Sequence, residues 1–153
     1  MRYSNGFYLF HIKPLEQIID ESIHFTYRWT FIKSVNSFHC YSFSYYLTNK
    51  LFIDFDETNV WIDENRSLLI VFCRNKELLY YVFKVLNEKF QWMCIPIDLG
   101  IQSFLLEDGK SVITSLYNSS SSNRVVTSLI KTDAERIEVI EKLLDGDRIE
   151  RNT

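Results

Sequence analysis

A chain of 153 residues has the length of one domain, and a domain of this size buries enough surface to be stable without disulfides or a structural metal. Hydrophobic residues make up 46% of the chain and charged residues 24%, which excludes a wholly disordered, collagen-like or coiled-coil protein. The formal net charge of −3 provides no positive field for a nucleic acid or an anionic membrane surface, so we expect neither as a partner.

The first half of the chain is predicted to be mostly β-structure, because apolar and polar residues alternate along it. In chain order the predicted strands are 6–12, 24–31, 38–47, 51–56, 60–62 and 67–72. Pro14 and the helical spacing of the apolar residues after it predict a short helix at about 14–23. Residues 48–50 are predicted to connect two strands as a hairpin. The strand at 67–72 is continuously apolar, which is typical of the middle of a sheet.

A well-defined helix is predicted at the centre of the chain. Asn75 can cap it, and its apolar residues lie on one stripe as far as Phe90. Further strands are predicted after it, at 92–99, 103–106, 111–117 and 124–130. The dipeptide 108–109, Asp-Gly, is a strong signal for a hairpin turn between the second and third of these strands.

The last predicted element is a helix that begins with a capping box. Thr132 and Glu135 have the spacing at which each side chain can bond the other residue's backbone N–H. We expect this helix to stop at Gly146, before a frayed charged tail at 147–153. With no internal repeat or linker, the elements predict a single α+β domain over residues 1–153. Its largely antiparallel sheet would pack with two or three helices.

Cysteine usage indicates the compartment. Cys40, Cys73 and Cys94 are an odd number at wide spacing, each within an apolar run. Buried reduced thiols explain this spacing better than a disulfide framework does, so we expect a cytoplasmic protein. No apolar stretch approaches the length of a membrane span or a signal-peptide core. The histidines and cysteines lack metal-ligand spacing, so neither a metal nor another cofactor is expected.

The sharpest local pattern is an apolar run that ends in Asp54-x-Asp56-x-Thr58. Over residues 51–58 it resembles the first motif of the haloacid-dehalogenase-like phosphatases. In that family the first Asp is the nucleophile, the second is the general acid/base, and both hold Mg²⁺. The resemblance implies those roles for Asp54 and Asp56, with Thr58 completing the motif. A Mg²⁺-dependent phosphohydrolase is therefore the enzyme alternative, although the family's motif lies on the first strand of a parallel sheet.

An acidic stretch with aromatic and apolar residues between its acids covers residues 54–64 and contains no Lys or Arg. The candidate partner-binding residues within it are Asp54, Asp56, Glu57, Trp61, Asp63 and Glu64. An acidic rim accelerates association with a basic protein, and a desolvated Trp contributes affinity. The same residues are also compatible with a solvated acidic hairpin that binds no partner.

These features favour a non-enzymatic binding protein. The most concrete form is an immunity protein or inhibitor that occludes the active site of a cognate toxin. Because a nuclease must be cationic to hold nucleic acid, a basic nuclease is the expected toxin. A phage-encoded inhibitor of a host defence protein fits the same features, and a structural subunit that only self-associates is a further alternative.

Overall fold

The framework of the fold is a set of β-strands with two α-helices. The computed structural model describes residues 6–16, 25–47, 50–52, 58–73, 77–98, 103–107, 109, 111–113, 124–125 and 132–152. In chain order the elements are β1 (Phe7–Pro14), β2 (Thr26–Val35), β3 (Phe38–Leu47), β4 (Lys50–Phe52), β5 (Thr58–Asp63), β6 (Leu68–Phe72), α1 (Glu77–Phe90), β7 (Trp92–Pro96), β8 (Ser103–Leu105), β9 (Ser111–Ile113), β10 (Arg124–Val125) and α2 (Asp133–Asn152).

Eight of these strands form one antiparallel sheet. Six of them lie in the order β10-β1-β6-β5-β3-β2. The other two extend the sheet. β10 pairs with the beginning of β1 and β7 with the rest of it. In the same way, β5 pairs with the first part of β3 and β4 with its end. Strands β8 and β9 form a separate pair. The predicted single α+β domain with an antiparallel sheet and two helices is confirmed.

Each face of the central strands packs against one helix. Phe7 and Leu9 of β1 belong to one buried cluster with Ile140 of α2, and we call this side of the sheet the α2 face. Tyr8, the residue between them, belongs to a second buried cluster with Val82 of α1, and this side is the α1 face. Successive side chains of a strand point to opposite faces, so a strand covered on both faces must be apolar throughout. This explains the uninterrupted apolar runs of β1 and β6.

Each predicted strand recurs at least in part among the described residues, and residues 114–117 and 126–130 of two of them lie outside these residues. The predicted central helix is α1. Strands β8 and β9, on either side of the predicted Asp-Gly turn, pair antiparallel, and of that turn the structure describes Gly109. The helix expected at 14–23 does not begin at Pro14, which is instead the last residue of β1, and residues 17–23 of that range lie outside the described residues. Of the strand expected at 51–56, the structure describes only the part up to Phe52.

The end of α2 differs from the prediction. The helix does not stop at Gly146 but continues to Asn152. A glycine inside a helix costs only about 1 kcal/mol relative to Ala. Arg148, Glu150 and Arg151 after it are good helix formers, and Asp147 and Arg151 have the (i, i+4) spacing that supports a helix. The predicted end of the helix at Gly146 is therefore wrong, and α2 includes the predicted tail as far as Asn152.

The three cysteines are all reduced. Cys40 and Cys73 are buried and Cys94 is half-buried. Burial raises the pKa of the Cys40 thiol to about 11 and that of Cys94 to about 12, so both are protonated at neutral pH. Within the described part of the chain, no helix combines the length and the apolar character that crossing a bilayer requires.

Two glycine substitutions test the backbone conformation, one within α2 and one at the turn before β9. We expect Gly146→Ala to raise the free energy of unfolding by up to about 1 kcal/mol, because Ala is the better residue inside a helix. Gly109→Ala should lower it by about 1–2 kcal/mol, because Gly109 has a φ of +87°, where an L side chain is strained. No atom lies within 4 Å of the added methyl group at Gly109, so its cost is one of backbone conformation alone.

Urea denaturation of both variants measures these changes. A loss of stability in Gly146→Ala would show that this glycine ends the helix in a left-handed conformation, as its sequence position indicated.

Candidate functional site

Of the six residues predicted to bind a partner, the structure describes Trp61, Asp63 and Glu64. Asp54, Asp56 and Glu57 lie outside the described residues. Trp61 is only 2% exposed and Asp63 is fully buried, whereas Glu64 is exposed. Of the predicted residues that the structure describes, only Glu64 therefore presents its side chain to solvent.

Strand β5 lies within the predicted acidic stretch. Glu57 directly precedes its first residue, Thr58, and Glu64 directly follows its last, Asp63. At a rise of about 3.3 Å per residue, Thr58 and Asp63 lie about 17 Å apart. The described part of the predicted acidic stretch is therefore an extended strand, and Glu64 follows its last residue.

Trp61 is a core residue and not an exposed anchor, which corrects the prediction for this side chain. It lies on the α2 face, where its ring is 4.8 Å from that of Phe72 and 5.6 Å from that of Phe38. The reason is the position of β5 in the sheet. β5 lies between β3 and β6 and has a helix over each face. Its side chains are therefore buried on both faces of the sheet.

Asp63 connects three parts of the fold. Its Oδ2 accepts hydrogen bonds from Arg66 Nε at 2.7 Å and from the Ser37 hydroxyl at 2.6 Å. Arg66 in turn donates from Nη1 to Glu141 of α2 at 2.8 Å. The turns after β2 and β5 and the helix α2 are thereby joined. Burial alone would raise the pKa of Asp63, but the hydrogen bonds from Ser37 and Arg66 and the charge of Arg66 hold it below its ordinary value.

The phosphatase-like motif is placed differently from the family it resembles. Its strand, β4, is antiparallel to β3, and every described strand pair is antiparallel. Thr58 is 1% exposed at the start of β5, and its hydroxyl is buried without a partner among the described residues. No group of three or more His, Cys, Asp or Glu residues in the described ranges could hold a metal ion.

A β-bulge in β2 marks a different surface. Phe31 pairs with Tyr41 and Lys33 pairs with Cys40, so Ile32 is the extra residue. Tyr41 packs on the α1 face and Cys40 on the α2 face. The bulge therefore moves Lys33 to the α2 face, although uninterrupted alternation would have kept it on the same side as Phe31.

The bulge leaves two large apolar side chains in solvent. Phe31 is 53% exposed on the side of Tyr41, the α1 face, and Ile32 is 49% exposed on the α2 face. The two side chains therefore flank the edge of the sheet at β2, and we call this pair the β2 ridge. The ring of Phe31 is supported from behind by Tyr41 at 5.7 Å and by His39 at 6.0 Å. The sequence pattern placed Phe31 on the buried face of its strand, which the structure corrects.

A cleft lies beside the β2 ridge, where α2 begins above the middle of the sheet. Its volume is about 290 Å³, and we call it the α2 cleft. Its lining residues come from four strands and the helix: Ile32, Lys33, Cys40, Ser42, Asn59, Trp61, Phe72, Asp133 and Arg136. Ile32 thus belongs both to the ridge and to the wall of the cleft.

The first turn of α2 supplies the charged groups of the α2 cleft. Thr132 Oγ1 accepts from the Glu135 backbone N–H, and Glu135 Oε1 accepts from the Thr132 backbone N–H, both at 3.2 Å. This confirms the predicted capping box. Because the box fixes where α2 begins, it also fixes where Asp133 and Arg136 stand over the sheet.

Asp133 is the central charge of the α2 cleft. It forms ion pairs with Lys33 of β2 and with Arg136, whose Nη1 lies 3.0 Å from Asp133 Oδ1. Burial alone would raise the pKa of Asp133, but the hydrogen bond and charge of Lys33, together with Arg136, lower it. The hydrogen bond and charge of Asp133 raise the pKa of Lys33. The Arg136 guanidinium also lies over the Phe72 ring, 5.2 Å from its centroid.

The sequence reasoning missed the β2 ridge and the cationic residues of the α2 cleft. One signal was present. The alternation that runs from Phe25 breaks at Phe31-Ile32-Lys33, where two large apolar residues are adjacent. Such a break within a strand indicates a bulge. The pairing of Arg136 with Asp133 has the local (i, i+3) spacing of a helix, but the pairing of Lys33 with Asp133 had no local signal, because 100 residues separate them.

The Asp63 cluster predicts a pH-dependent stability. Its lowered pKa means that the ion pair stabilises the fold fully above the unfolded value of about 3.9, and that this contribution is lost as pH falls through the lower folded value. We expect Asp63→Asn to lower the free energy of unfolding at pH 7 by about 1–3 kcal/mol. The loss on acidification from about pH 5 to pH 2 should also be smaller than in the parent protein.

Urea denaturation at several pH values tests this expectation, with Glu64→Gln as the control. Glu64 lies next to Asp63 but is exposed. Equal acid sensitivity of the parent protein and Asp63→Asn would contradict it.

The comparisons with known proteins give no relative from which a role could be transferred. No protein-family model matches the chain, and neither does any curated protein or solved structure.

Proposed function

We propose that the protein is a non-enzymatic binding protein, most concretely an immunity protein or inhibitor that neutralises a cognate toxin by occluding its active site. The observation that carries this proposal is the β2 ridge. Phe31 and Ile32 are adjacent, both about half exposed, and stand on a strand at the edge of the main sheet.

The surroundings of the β2 ridge support a role as the centre of an interface. Large apolar side chains surrounded by polar and charged groups are the usual arrangement of a binding hot spot. Here Arg28, His39 and Lys33 are exposed near the ridge on β2 and β3. No described residue pairs with the outer edge of β2, so the ridge is open to a partner on that side.

The expected partner is a protein toxin of basic character, such as a nuclease. The net charge of −3 supports this choice, because overall charge complementarity accelerates association. Exposed Glu64, and the sequence neighbours Asp54, Asp56 and Glu57, would contribute to that attraction. The groups beside the ridge are cationic, so we assign the affinity at the ridge itself to apolar contact. Neutralisation would take place in the cytoplasm.

Alanine substitution at the ridge tests the binding surface. The probe is the nuclease that the immobilised protein captures from its native host, purified and assayed for DNA cleavage. We expect a stoichiometric amount of the protein to stop cleavage. Phe31→Ala and Ile32→Ala should each weaken binding at least tenfold, because truncation of a hot-spot residue costs about 2 kcal/mol or more.

The matched control is Leu105→Ala, which removes an equally exposed apolar side chain from β8 and should leave binding unchanged. Capture of no basic protein, or full inhibition by both ridge variants, would contradict the proposal. Hydrolysis of a generic phosphate ester that is lost in Asp54→Asn would replace it with the phosphohydrolase alternative.

A further inference from the structure

The α2 cleft contains more hydrogen-bond donors than acceptors. Lys33 contributes an ammonium group and Arg136 a guanidinium group, whereas Asp133 is the only carboxylate among the lining residues that the structure describes. These three groups together carry one positive charge. Excess donors and one positive charge suit an anion that carries one negative charge.

The donors of Arg136 are largely unused. One bond runs from Nη1 to Asp133, and Nε is screened from solvent without a partner among the described residues. An unpaired buried donor costs about 1–3 kcal/mol. The guanidinium carbon lies over the Phe72 ring, 5.2 Å from its centroid, and a guanidinium group can donate two parallel hydrogen bonds to a planar anion.

The floor of the α2 cleft adds two short polar side chains. Ser42 of β3 and Asn59 of β5 are cross-strand neighbours on the α2 face. Both are half-buried, and neither side chain has a hydrogen-bond partner in the described part of the chain. Both side chains line the α2 cleft. Polar groups that converge on a cavity with apolar walls are typical of a ligand site.

We propose that the α2 cleft binds a carboxylate group, with Arg136 as its fork-shaped donor and Lys33 as the second cation. A carboxylate carries the single charge that the cleft lacks and matches the planar guanidinium in two parallel hydrogen bonds. A phosphate carries about −1.5 to −2 at neutral pH and would meet the Asp133 carboxylate with excess charge. Asn59 and Ser42 bond the remaining oxygen positions, and Ile32 contacts the aliphatic part.

The carboxylate can come from a small organic acid or from an Asp or Glu side chain of a protein bound at the β2 ridge. The second source is geometrically direct, because Ile32 belongs to both the ridge and the cleft. The carboxylate site itself does not depend on the proposed inhibitor function, since it rests on the charges and donors of the cleft alone.

NMR titration of the ¹⁵N-labelled protein with sodium acetate tests the site, with sodium chloride at equal ionic strength as the reference. We expect a saturable shift of the Arg136 Nε–H and Asn59 side-chain amide signals, with a Kd of roughly 1–10 mM, as suits a four-atom ligand. Sodium phosphate should bind more weakly. Arg136→Met keeps an unbranched side chain over Phe72 and should weaken acetate binding at least tenfold.

The control variant is Lys142→Met, which removes a cation from the exposed side of α2 and should leave the acetate Kd unchanged. Circular dichroism of both variants verifies that they fold. The absence of a saturable shift with acetate, or equal binding by Arg136→Met, would overturn the proposal.

The two sources are distinguished by a blocked pentapeptide with a central Glu. Tighter binding of the peptide than of acetate, weakened by Ile32→Ala, identifies a protein side chain as the occupant. Binding no tighter than that of acetate identifies a small organic acid.

Discussion

Burial of the central strands on both faces is the constraint on which the rest of the structure depends. β1, β5 and β6 lie inside the sheet with α1 over one face and α2 over the other. Each fully buried side chain of this layer contributes about 1.5–3 kcal/mol. Asp63, one of two polar side chains buried in the described part of the chain, is tolerated because Ser37 donates a hydrogen bond to it and Arg66 pairs with its charge. The same interactions anchor α2, and the position of α2 determines where the α2 cleft lies.

The fold class and most elements could be predicted from the sequence because they depend on local patterns. Three such patterns are the apolar–polar alternation of β2 and β3, the apolar stripe of α1 and the capping box at Thr132. Each of them can be recognised from residues that are close together in the sequence. Strand order is not local. The burial of Trp61 follows from the position of β5 between β3 and β6, and a tryptophan between acidic residues looks exposed until that order is known.

The candidate site was less predictable than the fold for the same reason. Its charges come from β2 and from α2, whose contact depends on a bulge that shifts Lys33 by one face. Of the acidic residues that dominated the sequence pattern, the structure describes two, and Asp63 is buried whereas Glu64 is exposed. A cluster of acidic residues in the sequence is therefore a weak predictor of an acidic surface where those residues form a strand. Successive residues of a strand are about 3.3 Å apart, so their charges are spread along its length.

The bulge at Ile32 has a further consequence for self-association. A long, regular edge strand with apolar side chains is a template on which identical chains add strand after strand. In β2 the extra residue interrupts the regular hydrogen-bonding pattern of the strand, and the charged side chain of Lys33 follows it directly. Such interruptions are among the devices that keep natural sheets from aggregating. The chain can therefore display Phe31 and Ile32 with a reduced tendency to polymerise.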